Sequence, residues 1–168
     1  MTEEVKRNYL EITSLKELKE GNKPTKDYSL NLIDPVDFQL NKFFYKNIGK
    51  KHKWIDRLAW SEEKWINYVS SKNVNTYVLK HKDDLVGFFE LILHQENKEI
   101  EIAYFGILEE YQNKKLGSFL LSEAIRESLH IKSVERVWLH TCSLDHKNAL
   151  NNYLARGMKI FKTEIINI

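Results

Sequence analysis

The strongest constraint on the fold is the order of elements between Ile100 and Thr141. An apolar run from Ile100 to Leu108 breaks into the polar loop Glu109 to Ser118, an amphipathic helix extends from about Leu116 to His130, and a β-type run follows from Val134 to Thr141. Strand, helix and strand in this order predict a right-handed crossover. The loop between the first strand and the helix has a chemical consequence. Backbone N–H groups at a helix start have no intrahelical partner, and the helix dipole adds partial positive charge, so phosphate oxygens are attracted there. Lys114 and Lys115 add to that field.

The preceding segment is strand-rich. Thr76 to Lys80, Leu85 to Leu93 and Ile100 to Leu108 are β-type, and Lys82-Asp83-Asp84 and Gln95 to Lys98 are turn-like, which predicts an antiparallel meander. Tyr28 to Leu32 alternates at period two and reads as a strand. Asp34-Pro35 is expected to open a helix reaching Gly49, and Ser61 to cap a second one, with Glu62 and Glu63 in its first turn. Val5 to Thr13 reads as a short edge strand within an N-terminal extension of about residues 1–25. A further helix is expected to begin at Asp145 or His146 and to end at Gly157, with Met158 to Ile166 as the last strand.

With 168 residues, 42% of them apolar and 12% aromatic, the chain suffices for one hydrophobic core, and a single domain over 1–168 is expected. Its 26 basic and 24 acidic residues are interspersed, which argues against a nucleic-acid-binding stripe and favours small-molecule chemistry. A lone cysteine, Cys142, makes no internal disulfide. No stretch reads as a signal peptide or as the ~20 apolar residues a membrane span needs, so the expected location is the cytoplasm, with no membrane partner.

Gln112-x-x-Lys115-x-Gly117 resembles the Gln/Arg-x-x-Gly-x-Gly/Ala acetyl-coenzyme A signature of the GCN5-related N-acetyltransferases, and Ala149-x-x-x-Tyr153-x-x-x-Gly157-Met158 resembles that family's closing helix. The resemblance implies a mixed α/β fold, with a mostly antiparallel central sheet flanked by helices on both faces. It also implies acyl-coenzyme A in a splayed gap between the fourth and fifth core strands. Acetyl-CoA would be the co-substrate, held by Phe105, Gly106, Ile107 and Leu108 on the strand, by Gln112, Asn113, Lys114, Lys115, Leu116, Gly117 and Ser118 in the loop, and by His146 and Tyr153 beyond it. No metal is expected. One departure stands out: the middle glycine of the signature is Lys115 here, and Asn113 occupies another position where glycine is frequent. Lysine adopts left-handed backbone geometry less readily than glycine or asparagine, so a local shift of the loop is expected.

Acylation of an amine needs a base for the ammonium proton and an acid for the departing thiolate. The resemblance makes Tyr153 the acid, against the plainer reading of a core tyrosine beside Leu150 and Leu154. Glu101, on the strand before the loop, is the first candidate base, and a solvent-facing strand glutamate is the alternative. Glu90 is the second, because a carboxylate among Phe88, Phe89, Leu91 and Ile92 is costly unless paired or used, and a structural salt bridge explains it nearly as well. His140 titrates near neutrality and is a third candidate or a lining residue. Cys142 reads as a small apolar or lining side chain.

For the acceptor, Lys53 to Trp60 is the richest segment. Trp54 and Trp60 could hold an alkyl or cationic group and Arg57 a carboxylate, although a loop packed by its aromatics fits equally well. These residues and His140 form the expected acceptor wall. The leading reading is transfer of an acyl group, acetyl by resemblance, to the primary amine of a small or amino-acid-like acceptor in a ternary complex. A non-catalytic acyl-CoA sensor, suggested by Lys115, and a protein or peptide N-acetyltransferase are the alternatives. The resemblance also raises a homodimer.

Overall fold

The computed structural model describes residues 2–167. Seven strands, β1 (Glu4–Ile12), β2 (Tyr28–Leu32), β3 (Val74–His81), β4 (Asp84–His94), β5 (Glu99–Ile107), β6 (Arg136–Cys142) and β7 (Lys159–Asn167), form one sheet in the order β2-β3-β4-β5-β6-β1-β7. All neighbours are antiparallel except β5 and β6, the pair joined through a helix. Four helices, α1 (Phe38–Gly49), α2 (Glu62–Val69), α3 (Leu116–His130) and α4 (Ala149–Ala155), accompany the sheet. The architecture is the mixed, mostly antiparallel α/β sheet that the resemblance implied. Among the described residues no helix is long and apolar enough to cross a membrane.

Consecutive apolar residues in the meander explain why both sheet faces are covered. Successive side chains of a strand point to opposite faces, so Phe88 stacks on Phe44 of α1 at 5.0 Å between ring centroids, while Phe89 stacks on Tyr77 at 4.8 Å in the other layer. One core joins Leu79, Phe89, Leu91, Ile100, Val137 and Leu139 to Leu116, Leu120, Ala124 and Ile125 of α3. The other joins Val78, Phe88 and Leu108 to Phe44 and Ile48 of α1. Each such aromatic or aliphatic side chain contributes about 1.5–3 kcal/mol by leaving water.

Three expectations are corrected. β1 is an interior strand, not an edge: it pairs with β6 through Arg7↔Cys142 and with β7 through Arg7↔Glu164. α1 begins at Phe38, because Asp37, not Pro35, is its cap, accepting from the Gln39 amide at 3.0 Å. α4 begins only at Ala149, because the Asp145 carboxylate turns back to the Thr141 hydroxyl and the Cys142 amide and holds that segment in a turn. Ser61 does cap α2, through the Lys64 amide. Gly157 ends α4 with φ +101°, and a Cβ there would sit 2.1 Å from the Glu17 carbonyl oxygen, so the turn admits only glycine.

Candidate active site

β5 and β6 are paired only at Glu99↔Arg136, Ile100↔Val137 and Glu101↔Trp138. Beyond Glu101 the two strands separate, and the β5 edge that faces β6 is left without a ladder. A register shift in the β4–β5 pairing, Glu90↔Tyr104 followed by Leu91↔Ile102, leaves Ala103 as a bulge at the point of divergence. Bulges bend a strand and re-aim its side chains. Ile102 and Phe105 therefore pack toward α3 and Tyr104 toward Trp54 and Tyr45.

A cavity of about 1110 Å3 fills the splay. Its near end is made by Gln112, Asn113, Lys115, Leu116, Gly117 and Ser118 at the start of α3. Asn113 and Lys115 both adopt left-handed backbone geometry, φ 65° and 61°. The loop thus places two non-glycine residues in the conformation that glycine adopts without strain. Lys115 occupies the N-cap position and supplies no side-chain acceptor, so the first amides of α3 donate to no side chain of that residue. A Cβ on Gly117 would meet only Asn152 Nδ2, at 3.7 Å, so space is open in front of that turn. Asn152, which the sequence did not single out, fastens α4 to this turn by donating to the Gly117 carbonyl at 3.2 Å. The Lys114 ammonium lies over the Tyr111 ring at 5.2 Å and is not part of the lining.

Along the middle run Ala103 to Ile107, with Leu108 buried just beyond, and Tyr153 closes the far wall. Tyr153 is 8% exposed, its ring sits edge-on to Phe105 at 6.3 Å, and among the described residues no group hydrogen-bonds its hydroxyl. Burial, reinforced by the Asp145 charge, raises its pKa, so the phenol keeps its proton at neutral pH. His146 also lines the cavity, its Nδ1 accepting from the Asn148 amide at 3.1 Å, and desolvation followed by the nearby His52 and Lys147 lowers its pKa.

On the strands beside this wall the lining also includes Arg7, Ile92, Glu101, His140, Cys142 and Ile166. Glu101 Oε1 lies 3.0 Å from His94 Nε2. His140 stands over Tyr9, ring centroids 5.5 Å apart, and desolvation followed by the Arg7 charge lowers its pKa, which leaves a neutral imidazole at pH 7. Burial raises the Cys142 pKa and disfavours a thiolate.

The acceptor wall is only partly as expected. Trp54 and Asp56 line the cavity, and Trp54 packs edge-on against Tyr104 at 4.8 Å. Arg57 contributes to the lining, but its guanidinium is committed inward. It forms a two-point ion pair with Glu90, Nη1–Oε1 3.0 Å and Nη2–Oε2 2.9 Å, and donates to the Tyr68 hydroxyl at 2.9 Å. It also lies over five aromatic rings, those of Tyr68 and Tyr104 closest at 4.3 and 4.4 Å. Asn41 and Tyr68 complete the Glu90 environment. Glu90 is 0% exposed and does not line the cavity, so it is the counter-ion of Arg57 and not a base for the acceptor. Trp60 packs on Trp65 and Arg57, outside the lining.

The sequence model of the Acetyltransferase (GNAT) family matches residues 38–158. No curated protein sequence matches the chain. Among solved structures, a GCN5-related N-acetyltransferase from Sphaerobacter thermophilus superposes with TM-score 0.73 at 14% identity, covering 99% of this chain and 52% of that one. Spermidine N-acetyltransferase from Vibrio cholerae, in complex with CoA and spermine, gives TM-score 0.63 at 17% identity over 85% of this chain and 96% of that one. An aminoglycoside acetyltransferase from a soil metagenome gives 0.65 at 13% identity over 77% and 86%. At these identities the likeness is one of fold. The chain spans about half to three fifths of several longer matches, 61% of a functionally unknown Staphylococcus epidermidis protein and 56% of a Kribbella flavida acetyltransferase among them.

Proposed function

The chain belongs to the GNAT acetyltransferase family, and from that premise we propose that it transfers an acyl group, acetyl in the first instance, from coenzyme A to the primary amine of a small acceptor. The observation that carries the reading is the splay between β5 and β6, which opens directly onto the start of α3 and has Tyr153 on its wall. The residues present suit a thioester carrier. The α3 amides and Lys115 suit a diphosphate, and the unladdered edge of β5 from Phe105 to Ile107, continued by Leu108, suits the amides of a pantetheine arm. His146 would flank that arm.

Acetyl-CoA supplies an acyl group already activated as a thioester. The chain supplies proton handling and position. Glu101, oriented by His94, takes the proton from the acceptor ammonium and frees its lone pair. Tyr153 gives its hydroxyl proton to sulfur as the C–S bond breaks and the C–N bond forms, and the second proton that the nitrogen then sheds restores the phenol. Trp54, Tyr104 and Asp56 offer aromatic faces and one carboxylate to the acceptor amine, and His140 is a neutral neighbour.

Tyr153→Phe tests the proposal. The variant should lose about 100-fold or more in kcat while its KM for acetyl-CoA stays within about threefold. An unchanged kcat contradicts the assignment, and acetyl-CoA binding without turnover on any amine of a broad panel favours the sensor reading.

A further inference from the structure

We propose that Arg7, delivered by the N-terminal strand, binds a carboxylate on the acceptor, so that the acceptor class is amino-acid-like and not a simple polyamine; this rests on the acyltransferase reading above. The placement follows from the interior position of β1. Arg7 is opposite Cys142 on β6, Tyr9 is opposite His140, and Glu101 of β5 is opposite Trp138. Arg7 and His140 are therefore diagonal neighbours on one sheet face, a separation of about 7–8 Å that an arginine side chain spans. Arg7, His140 and Glu101 all line the cavity.

The guanidinium is unspent. Its Nε is buried and has no hydrogen-bond partner among the described residues, an expensive state for a charged donor. Its nearest anion, Glu164, is 3.8 Å away, beyond hydrogen-bond reach, and already accepts from the Tyr9 hydroxyl at 2.7 Å and faces Lys162 at 3.6 Å. Arg57, the other arginine of the lining, is by contrast saturated by Glu90. The guanidinium fork matches a carboxylate at two points. With Glu101 and Asp145 also on the lining, a singly charged anion suits the site better than a dianion. Such an acceptor would present its ammonium to Glu101 and its carboxylate to Arg7.

The test is acetyl transfer from acetyl-CoA to a panel of L-amino acids, each paired with its carboxamide, in the wild type, Arg7→Met and Arg7→Lys. The expected result is an acid-over-amide preference in kcat/KM of about 10- to 100-fold. That preference should vanish in Arg7→Met and partly return in Arg7→Lys, and the KM for acetyl-CoA should not follow it. Equal use of acids and amides, transfer confined to amines without an anionic group, transfer to no acid in the panel, or a preference that survives Arg7→Met would each overturn the inference. Calorimetry separates the two levels. Absence of acetyl-CoA binding defeats the acyltransferase reading itself, whereas binding and transfer without acid preference defeats only the role of Arg7.

Discussion

At the scale of single residues, the sharpest contrast is between two carboxylates on neighbouring strands. Glu90 is enclosed and matched point for point by Arg57, while Glu101 faces the cavity with His94 behind it. A buried ion pair contributes little against an apolar replacement, but breaking it strands a charge. Arg57→Met should therefore cost about 3–5 kcal/mol in denaturant unfolding, and Arg57→Met with Glu90→Leu should recover much of that. A double variant as unstable as the single one would contradict the account. His140 gives a pH signature. Its folded pKa is depressed below the ordinary 6.5, by desolvation first and Arg7 second, so the unfolded chain binds the proton more readily. Its contribution to stability is present above pH 6.5 and is lost as pH falls through the folded value, a small effect because the residue is exposed to screening solvent. Thermal unfolding of His140→Gln should fall less between pH 7 and pH 5 than that of the wild type, and an equal fall would refute the assignment.

At the scale of elements, the start of α3 shows what a non-glycine residue costs. Lys115 at φ 61° carries left-handed strain worth about 1 kcal/mol and, in exchange, a positive charge beside the bare amides. Lys115→Gly should raise stability by about 0.5–1 kcal/mol in denaturant titration and weaken acetyl-CoA binding most at low salt. Tighter binding in the glycine variant would show that the charge is irrelevant. Local pattern made much of this region legible: the strand, the loop, the helix and the Tyr153 position are all encoded within short windows. The bulge at Ala103 was not, because strict alternation puts Tyr104 and Glu101 on opposite faces and only the pairing with β4 reveals the extra residue. Arg57 was read as a ligand for an acceptor carboxylate. In the fold its carboxylate partner is internal, which depends on Glu90 reaching it from β4, far along the chain.

At the scale of the whole molecule, the sheet is two units held apart at one seam. The meander β3-β4-β5 is local and legible from its turns, β2 joins its edge across two intervening helices, and β6-β1-β7 is assembled from the two ends of the chain. A pairing between Arg7 and Glu164 leaves no mark in either segment alone, so the sequence of β1 reads as an edge and nothing local singles out Arg7. The seam between these units is where β5 and β6 diverge and where the cavity lies. Its lining differs in character between elements, bare amides and lysine at the start of α3, and carboxylate, imidazole and guanidinium on the strands, which suits a carrier on the first and an amine on the second. Calorimetric titration of acetyl-CoA into the protein tests this division most directly. The account predicts saturable binding of one acetyl-CoA per chain, weakened at high salt; no binding at millimolar acetyl-CoA would contradict it.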